Sequence, residues 1–295
     1  MRSIPGIICG ALLLLGSQAL TAAGYYGAGA YFDAEIDLRY DSNLSRSNAS
    51  NDIEEDMITA LSAGAAYMKP LNEKSQLMIS AYLAAEHFAE FKDLNNVSAN
   101  TSIVYTIQPQ RSYASPFYRL SGSIAWLDVN ESRIRDGYIM RAGAGMTKRL
   151  GQDFLLELDY HFQHRVSDGQ VFDNDRHELK AQLIYRYSSA VSLFANYDLH
   201  IGEVVSTATP TPTIRAAATS IAPDDVFSPG LGPGCMNRRC AYRLDAIGHF
   251  FESGMEFGLN DLLSLNLSGQ YFIVDGDGLE AYRGWVYRAG LYMQF

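Results

Sequence analysis

Residues 32–41 read FDAEIDLRYD, and every second side chain in this stretch is apolar. The apolar positions are Phe32, Ala34, Ile36, Leu38 and Tyr40, and the positions between them are Asp33, Glu35, Asp37, Arg39 and Asp41. Successive side chains of an extended strand point to opposite faces. The stretch therefore predicts a β-strand with one apolar face and one charged face.

The same alternation recurs down the chain of 295 residues, for example over residues 154–163, 178–187 and 263–273. It predicts an all-β fold with twelve strands, at 30–42, 56–68, 75–90, 96–108, 115–129, 137–150, 153–165, 175–187, 190–203, 241–258, 262–274 and 282–295. Within the tenth strand the alternation is broken at His249, Phe250 and Phe251, which predicts a β-bulge there.

A soluble β-sandwich alternates in the same way, so the connections must decide between a sandwich and a barrel. Tight connections alternate with longer ones along the chain. The tight connections are 69–74, 109–114, 151–152, 188–189 and 259–261. The longer ones are 43–55, 130–136, 166–174 and 204–240. Short periplasmic turns and longer outer loops are typical of barrels that span a membrane. Aromatic residues on the apolar faces predict two interfacial girdles: Tyr67, Tyr105, Tyr118, Trp126, Tyr138, Tyr187, Tyr197, Trp285 and Phe295.

The first 23 residues have the layout of a secretory signal peptide. A positive charge at Arg2 precedes an apolar run (7–15), and small residues follow as far as Ala23. We expect cleavage after Ala23 or, as an alternative, after Ala19. The apolar run is too short to cross a bilayer as a helix, and residues 24–295 are expected to form one barrel domain.

The last predicted strand carries Tyr287, Ala289, Leu291, Met293 and Phe295 on one face. This stretch, 287–295, resembles the C-terminal signature of bacterial outer-membrane β-barrel proteins, which the barrel-assembly machinery reads. The resemblance implies a closed, antiparallel up-and-down barrel of about twelve strands, surrounded by outer-membrane lipid and lipopolysaccharide. It also implies an assembly signal at Tyr287, Leu291, Met293 and Phe295.

The net charge limits the expected binding partners, and the cysteine content indicates a disulfide. The formal net charge is -10 at pH 7, so nucleic acid is not expected as a partner, because phosphate binding needs clustered Lys and Arg. After the expected signal peptide only Cys235 and Cys240 remain. In an oxidising compartment such a pair predicts a disulfide, with two free thiols or a thiolate metal site as the alternatives.

The polar faces are predicted to line the lumen. The second to fifth strands supply small or neutral groups: Ser62, Gly64, Gln76, Ser80, Ser98, Asn100, Ser102, Ser121 and Ser123. Charged residues in the lumen are the candidates for solute selection. The first strand supplies Asp33, Glu35, Asp37 and Arg39, and closure of the barrel places Arg288 of the last strand beside them. The seventh and eighth strands supply Glu157, Asp159, Glu178 and Lys180. The alternative is that ion pairs between strands fill a narrow bore.

The longer loops offer weaker signals. The connection 204–240 is a plug, an eyelet or a recognition loop in one interpretation, and a solvated, variable loop in the favoured one. Acidic clusters in outer loops could hold divalent cations against lipopolysaccharide: Asp52, Glu54, Glu55 and Asp56; Asp168, Asp173 and Asp175; Asp275 and Asp277. None has the spacing of a calcium loop, so no metal site is predicted and a solvated surface is favoured.

Three functions follow, of which the first is preferred. The first is a porin-like passive channel for small polar or charged solutes, without a cofactor. The second is a closed barrel that binds or scaffolds partners in surface export or envelope integrity. The third is a surface hydrolase, in which His164 and His177 would act with nearby aspartates such as Asp175. The His-x-Ser element that barrel phospholipases carry is missing from the sequence, so no enzyme activity is predicted.

Overall fold

The computed structural model describes residues 28–110, 112–224, 226–227, 234–235, 238–277 and 281–295. The expected signal peptide, residues 1–23, lies outside these residues. Across the part of the chain that the structure describes, no helix has the length and apolar character needed to cross a bilayer.

Strands dominate the described residues. In chain order they are β1 (Gly29–Asp41), β2 (Asp56–Asn72), β3 (Ser75–Phe88), β4 (Asn96–Ile107), β5 (Phe117–Val129), β6 (Gly137–Arg149), β7 (Phe154–Ser167), β8 (Asn174–Arg186), β9 (Val191–Ala208), β10 (Ser220–Pro223), β11 (Cys240–Asn260), β12 (Leu263–Gly276) and β13 (Tyr282–Gln294). A short helix, α1 (Pro212–Ala217), precedes β10. The long strands follow the twelve predicted ones, and most ends agree within four residues.

Two details of the strand prediction were wrong. The ninth strand was predicted to end at residue 203, but β9 continues to Ala208. The bulge predicted near Phe250 does not form, because β11 pairs there in continuous register and its register shift falls between Gly258 and Asn260. Phe250 keeps the parity of the strand and packs inward against Phe272.

The strands close into a ring. Neighbouring strands pair antiparallel in the order β1 to β9, then β11, β12 and β13, and β13 pairs back with β1. Phe32 and Phe295 exchange backbone hydrogen bonds at this seam, with N···O distances of 3.3 and 2.8 Å. The short β10 only extends the sheet beside the start of β11. Such closure pairs the backbone groups of every long strand, as hydrocarbon surroundings require.

The outward face of the ring is largely apolar and carries exposed aromatic residues. Tyr67, Trp126, Tyr138 and Phe295 are exposed on this face. Tyr40 stacks on Tyr287, with ring centroids 6.4 Å apart, and Trp285 stacks on Tyr287 at 6.0 Å. Aromatic rings of this kind favour membrane–water interfaces.

The two ends of the ring differ. At one end, called the turn end, the strands are joined by the connections 73–74, 108–116, 150–153, 187–190 and 261–262. At the other, called the loop end, lie 42–55, 89–95, 130–136, 168–173, 209–239 and 277–281. Three of the loop-end connections contain a turn of 3-10 helix. This asymmetry is the one that the sequence predicts for a membrane barrel.

Candidate functional site

The lumen has a neutral side and a charged side. On β2 to β5 most inward positions are small or neutral, with Glu86 of β3 and Arg119 of β5 as exceptions; Ser80 of β3 and Ser102 of β4, for example, hydrogen-bond across the strands at 2.7 Å. The other charged residues of the lumen lie on β1, β13 and the strands from β5 to β11. We use the name charged lumen for the charged candidates that the sequence predicted, together with Arg119 and Asp198. Its members are Asp33, Glu35, Asp37, Arg39, Arg119, Glu157, Asp159, Glu178, Lys180, Asp198 and Arg288.

The acidic row of β1 is bonded mainly along the wall. Tyr82 of β3 donates a hydrogen bond to Asp33 at 2.8 Å. Arg39 forms an ion pair with Asp37 at 2.8 Å and a second with Glu86 of β3. Arg39 also stands opposite Arg288 in the β1–β13 register, which confirms the predicted neighbourhood of these two strands.

The predicted cluster of β7 and β8 contains cations that the sequence analysis missed. Arg119 of β5 binds both carboxylate oxygens of Asp159, at 2.8 and 2.9 Å, and lies 3.8 Å from Glu157. Glu178 pairs with Arg176 of its own strand and with Arg141 of β6 at 3.5 Å. All three arginines have the inward parity of their strands, so parity alone could have identified them.

Glycines leave room for long inward side chains to lie flat against the wall of the barrel. Tyr82 crosses β2 at Gly64, and Asp159 lies against Gly145 of β6; a Cβ at either glycine would overlap these side chains. Glu35 lies beside Gly290 of β13, where a Cβ would be 3.3 Å from its carboxylate oxygen. Ion pairs therefore do form, as one interpretation expected, but the Arg119 ion pairs and the Tyr82–Asp33 hydrogen bond run along the wall.

Water reaches much of the charged lumen. Glu35, Lys180, Asp198 and Arg288 are only half-buried, although they point inward. The neutral side is similar, since Ser62, Asn100, Ser121 and Ser123 are also half-buried. The middle of the barrel is thus lined by polar groups that keep contact with solvent.

The loop end carries a layer of packed hydrophobic residues, which we call the apolar cap. Four hydrophobic clusters form it around the ring: Leu44, Ile58, Phe88, Leu94, Val226 and Phe227; Ala246, Phe272, Val274, Tyr282 and Val286; Val171, Phe172, Val205 and Ala241; Ala208, Ile214, Tyr242 and Leu244. Phe88, Phe172 and Tyr242 have no exposed surface. Inward residues of β2, β3, β11, β12 and β13 thus pack against the loops instead of water.

The described part of the connection 209–239 belongs to this cap, so the favoured interpretation of 204–240 as a solvated loop was wrong. Residues 204–208 of the predicted loop continue β9, and Thr211 caps α1 by accepting the Ile214 N–H at 3.2 Å. Ile214 is buried against Leu244. Cys235 and Cys240 form the predicted disulfide, which fastens the connection to the start of β11.

A buried ion pair joins this connection to the loop between β5 and β6. Arg135 and Asp224 are 1% and 0% exposed and bind each other. The Thr207 hydroxyl donates to Asp224 at 2.9 Å, and the Arg135 guanidinium lies 4.5 Å from the ring centre of Phe172. A buried pair of this kind leaves a costly charge behind when one partner is removed.

The first acidic cluster is structural rather than solvated. Asp52 accepts hydrogen bonds from the Thr209 N–H at 2.7 Å and from Arg239 at 3.1 Å. Asp56 accepts the backbone N–H groups of Glu90 and Phe91 at 3.1 and 2.9 Å. Both aspartates are buried. The expectation of a plain solvated surface was therefore wrong for these two residues.

The remaining acidic residues gather no metal site. Asp173 accepts the Ser167 N–H at 2.6 Å and so shapes the loop between β7 and β8. Arg46 binds Asp41 at 2.6 Å; although burial disfavours its charged form, Asp41 raises the pKa of Arg46, so the guanidinium stays charged. Among the described residues, no three His, Cys, Asp or Glu side chains are placed to hold a metal ion.

The histidines of the hydrolase hypothesis point away from the lumen. His164 is exposed on the outward face and binds Asp175 at 2.5 Å. His177 bonds to the Tyr160 hydroxyl at 2.8 Å and packs against Phe162. The structure therefore brings His164 together with one of the aspartates that the hypothesis named, on the outward face of the ring and not in the lumen.

Comparison with solved structures supports the fold. The chain is similar to an outer membrane channel from Pseudomonas putida F1, with a TM-score of 0.56 and 12% identity over 92% of this chain and 97% of that one. Weaker similarity links it to the NanC porin (TM-score 0.47, 10% identity, 88% and 98% covered) and to the translocator domain of the autotransporter NalP from Neisseria meningitidis (0.46, 10%, 98% and 95%). No protein-family model and no curated protein matches the sequence. The first similarity establishes an outer-membrane type of β-barrel fold.

Proposed function

We propose that this chain is a porin-like passive channel of the bacterial outer membrane for small polar or charged solutes. The observation that carries the proposal is the half-buried, polar middle of the barrel, where Tyr82 lies over Gly64 and Asp159, the partner of Arg119, lies over Gly145. Polar side chains that keep contact with water are what a solute path requires. No cofactor enters the proposal.

The apolar cap determines whether the proposed channel is open or closed at its loop end. It packs inward residues of the strands against the connection 209–239 at the loop end. We therefore propose that the described conformation is closed at this end and that solutes pass when the connection moves. The connection then acts as the plug that one interpretation of the sequence considered.

The remaining proposals concern export and surroundings. Residues 1–23 would direct secretion, and Tyr287, Leu291, Met293 and Phe295 would be read by the barrel-assembly machinery. Their support is that Tyr287 and Phe295 are exposed on the outward face of β13, the strand that closes the ring. Outer-membrane lipid and lipopolysaccharide would then contact the apolar outward face.

Bilayer conductance tests the channel. The refolded barrel is incorporated into a planar bilayer, both intact and with 209–239 shortened. We expect discrete current steps, larger or more frequent in the shortened variant because its cap is incomplete. If neither protein produces steps, the channel proposal is wrong.

The apolar cap also favours a second function, a closed barrel that binds or scaffolds partners at its loop end. This alternative predicts that neither the intact nor the shortened barrel conducts. It also predicts that crosslinkers placed at exposed loop-end positions, for example at residue 133 between β5 and β6 or at residue 283 at the start of β13, capture a defined partner from the cell envelope.

A further inference from the structure

The charges of the lumen are not neutralised pair by pair. Two carboxylates, Asp37 and Glu86, share Arg39, and two more, Glu157 and Asp159, share Arg119. Shared cations of this kind leave a net negative charge on each group. The carboxylates therefore outnumber the cations along both stretches of wall.

Other carboxylates are held by neutral donors. Asp33 accepts the Tyr82 hydroxyl at 2.8 Å. Glu252 of β11 accepts Ser268 at 2.8 Å and Asn196 at 2.9 Å. Hydrogen bonds from neutral groups stabilise the ionised form without cancelling its charge, so these sites also add negative potential to the lumen.

Four half-buried charges in the middle of the barrel have no direct ion pair among the described residues: Glu35, Lys180, Asp198 and Arg288. Lys180 faces Asp198 in the β8–β9 register. Four carboxylates lie within electrostatic range of Arg288: Glu35, Asp37, Asp198 and Glu252. Carboxylates are therefore more numerous than cations around Lys180 and Arg288.

One group has the opposite balance. Arg141 and Arg176 share Glu178, which leaves an excess positive charge beside β6 and β8. Both arginines are nearly buried, whereas Glu35 and Asp198 keep contact with the water of the lumen. A permeating ion therefore meets the exposed carboxylates more directly than this buried cationic pair.

We propose that the lumen passes small cations in preference to anions and that Glu35 and Asp198 are the residues that set this preference. The inference rests on the proposed channel function and names its solute class. Charges in a narrow bore with walls of low dielectric act strongly on a passing ion, and the carboxylates of Glu35 and Asp198 are exposed to it without a bound counter-charge.

The test is the reversal potential in a planar bilayer under a KCl gradient, at slightly alkaline pH where carboxyl groups are ionised. The unmodified barrel should prefer K⁺ to Cl⁻. The double variant Glu35→Gln, Asp198→Asn should lower that permeability ratio by about threefold or more, because lumen charges determine ion choice. The opposite double variant, Lys180→Met with Arg288→Met, should raise the ratio.

The control is Asp175→Asn, which removes one negative charge from an exposed, outward-facing carboxylate and should leave the ratio unchanged. If the cap keeps the unmodified barrel silent, the same series is measured in the variant with 209–239 shortened. A preference for Cl⁻, or a ratio that the Glu35 and Asp198 substitutions do not change, overturns the selectivity inference alone. Silence of every variant overturns the channel itself.

Discussion

The charged lumen and the apolar cap lie in the same ring of strands, yet they are held together by different physics. In the charged lumen, side chains such as Glu35 and Lys180 are half-buried and can exchange a protein partner for water. In the apolar cap, Phe272 and Asp224 have almost no contact with solvent. Removing a group from the cap should therefore cost much more free energy than removing one from the lumen, because water cannot replace what is lost.

The largest expected effect is that of Asp224→Ala. It removes the buried carboxylate that binds the Arg135 guanidinium, which should lower the free energy of unfolding by about 3–5 kcal/mol and loosen the cap. We expect a lower urea midpoint and, if the barrel is a channel, a higher open probability in the bilayer.

The double variant Asp224→Ala, Arg135→Met is the control for that experiment. It removes both charges and replaces the guanidinium by an apolar side chain beside Phe172. Most of the lost stability should return, since paired buried charges can be replaced at little cost. If the double variant is as unstable as the single one, charge burial is not what holds the connection 209–239 in place.

A smaller loss is expected for Phe272→Ala in the same cap. The ring lies 4.7 Å below the Arg46 guanidinium and 5.9 Å from Phe250. Removing it should cost about 3 kcal/mol, towards the low end for a buried Phe, because the flexible Arg46 side chain can fill part of the space. Urea unfolding measures the loss.

Ser102→Ala in the lumen is the counterpart of that substitution. Ser102 is half-buried and its hydroxyl bonds to the buried Ser80, so its loss should cost about 1 kcal/mol, at the low end for a buried hydroxyl that loses its partner. Equal losses from Ser102→Ala and Phe272→Ala would remove the distinction between lumen and cap.

The next effect concerns conductance more than stability. In Gly145→Ala the new methyl group overlaps Asp159, so the ion pair with Arg119 has to move off the wall and into the bore. We expect a lower single-channel conductance, with a stability loss of about 1–3 kcal/mol from overpacking. In the control, Gly122→Ala, the added Cβ meets its nearest neighbour only at 3.8 Å, and the conductance should not change.

The sequence predicted the strands well because each apolar face has a period of two that no other element shares. It also predicted Arg288 beside the first strand, since closure of the ring requires β13 to pair with β1. It failed at residues 204–208, which read VVSTA and do not alternate. Val205 and Ala208 are both buried although they have opposite parity in β9, so both faces of this end pack against protein and the periodic signal disappears.

The partners of the lumen charges could not be predicted for a different reason. Arg119 bonds to Asp159 two strands away, and such a contact depends on the register of three strands and on the small residue at Gly145 between them. A single sequence gives the inward parity of each residue but not the register. The buried role of Asp224 was hidden in the same way, because its partner Arg135 lies in another loop.

The smallest effect is expected at the exposed pair of His164 and Asp175, which lies outside both regions. Their side chains are 46% and 57% exposed and bind at 2.5 Å. An exposed ion pair contributes between zero and about 1 kcal/mol, since water can take the place of either partner. We therefore expect His164→Ala to change the urea midpoint within experimental error and to leave conductance and ion preference as they were. A loss as large as that of Asp224→Ala would mean that this face is covered in the folded protein, for example by a second copy or a bound lipid, and the contrast between exposed and buried pairs would then have to include that partner.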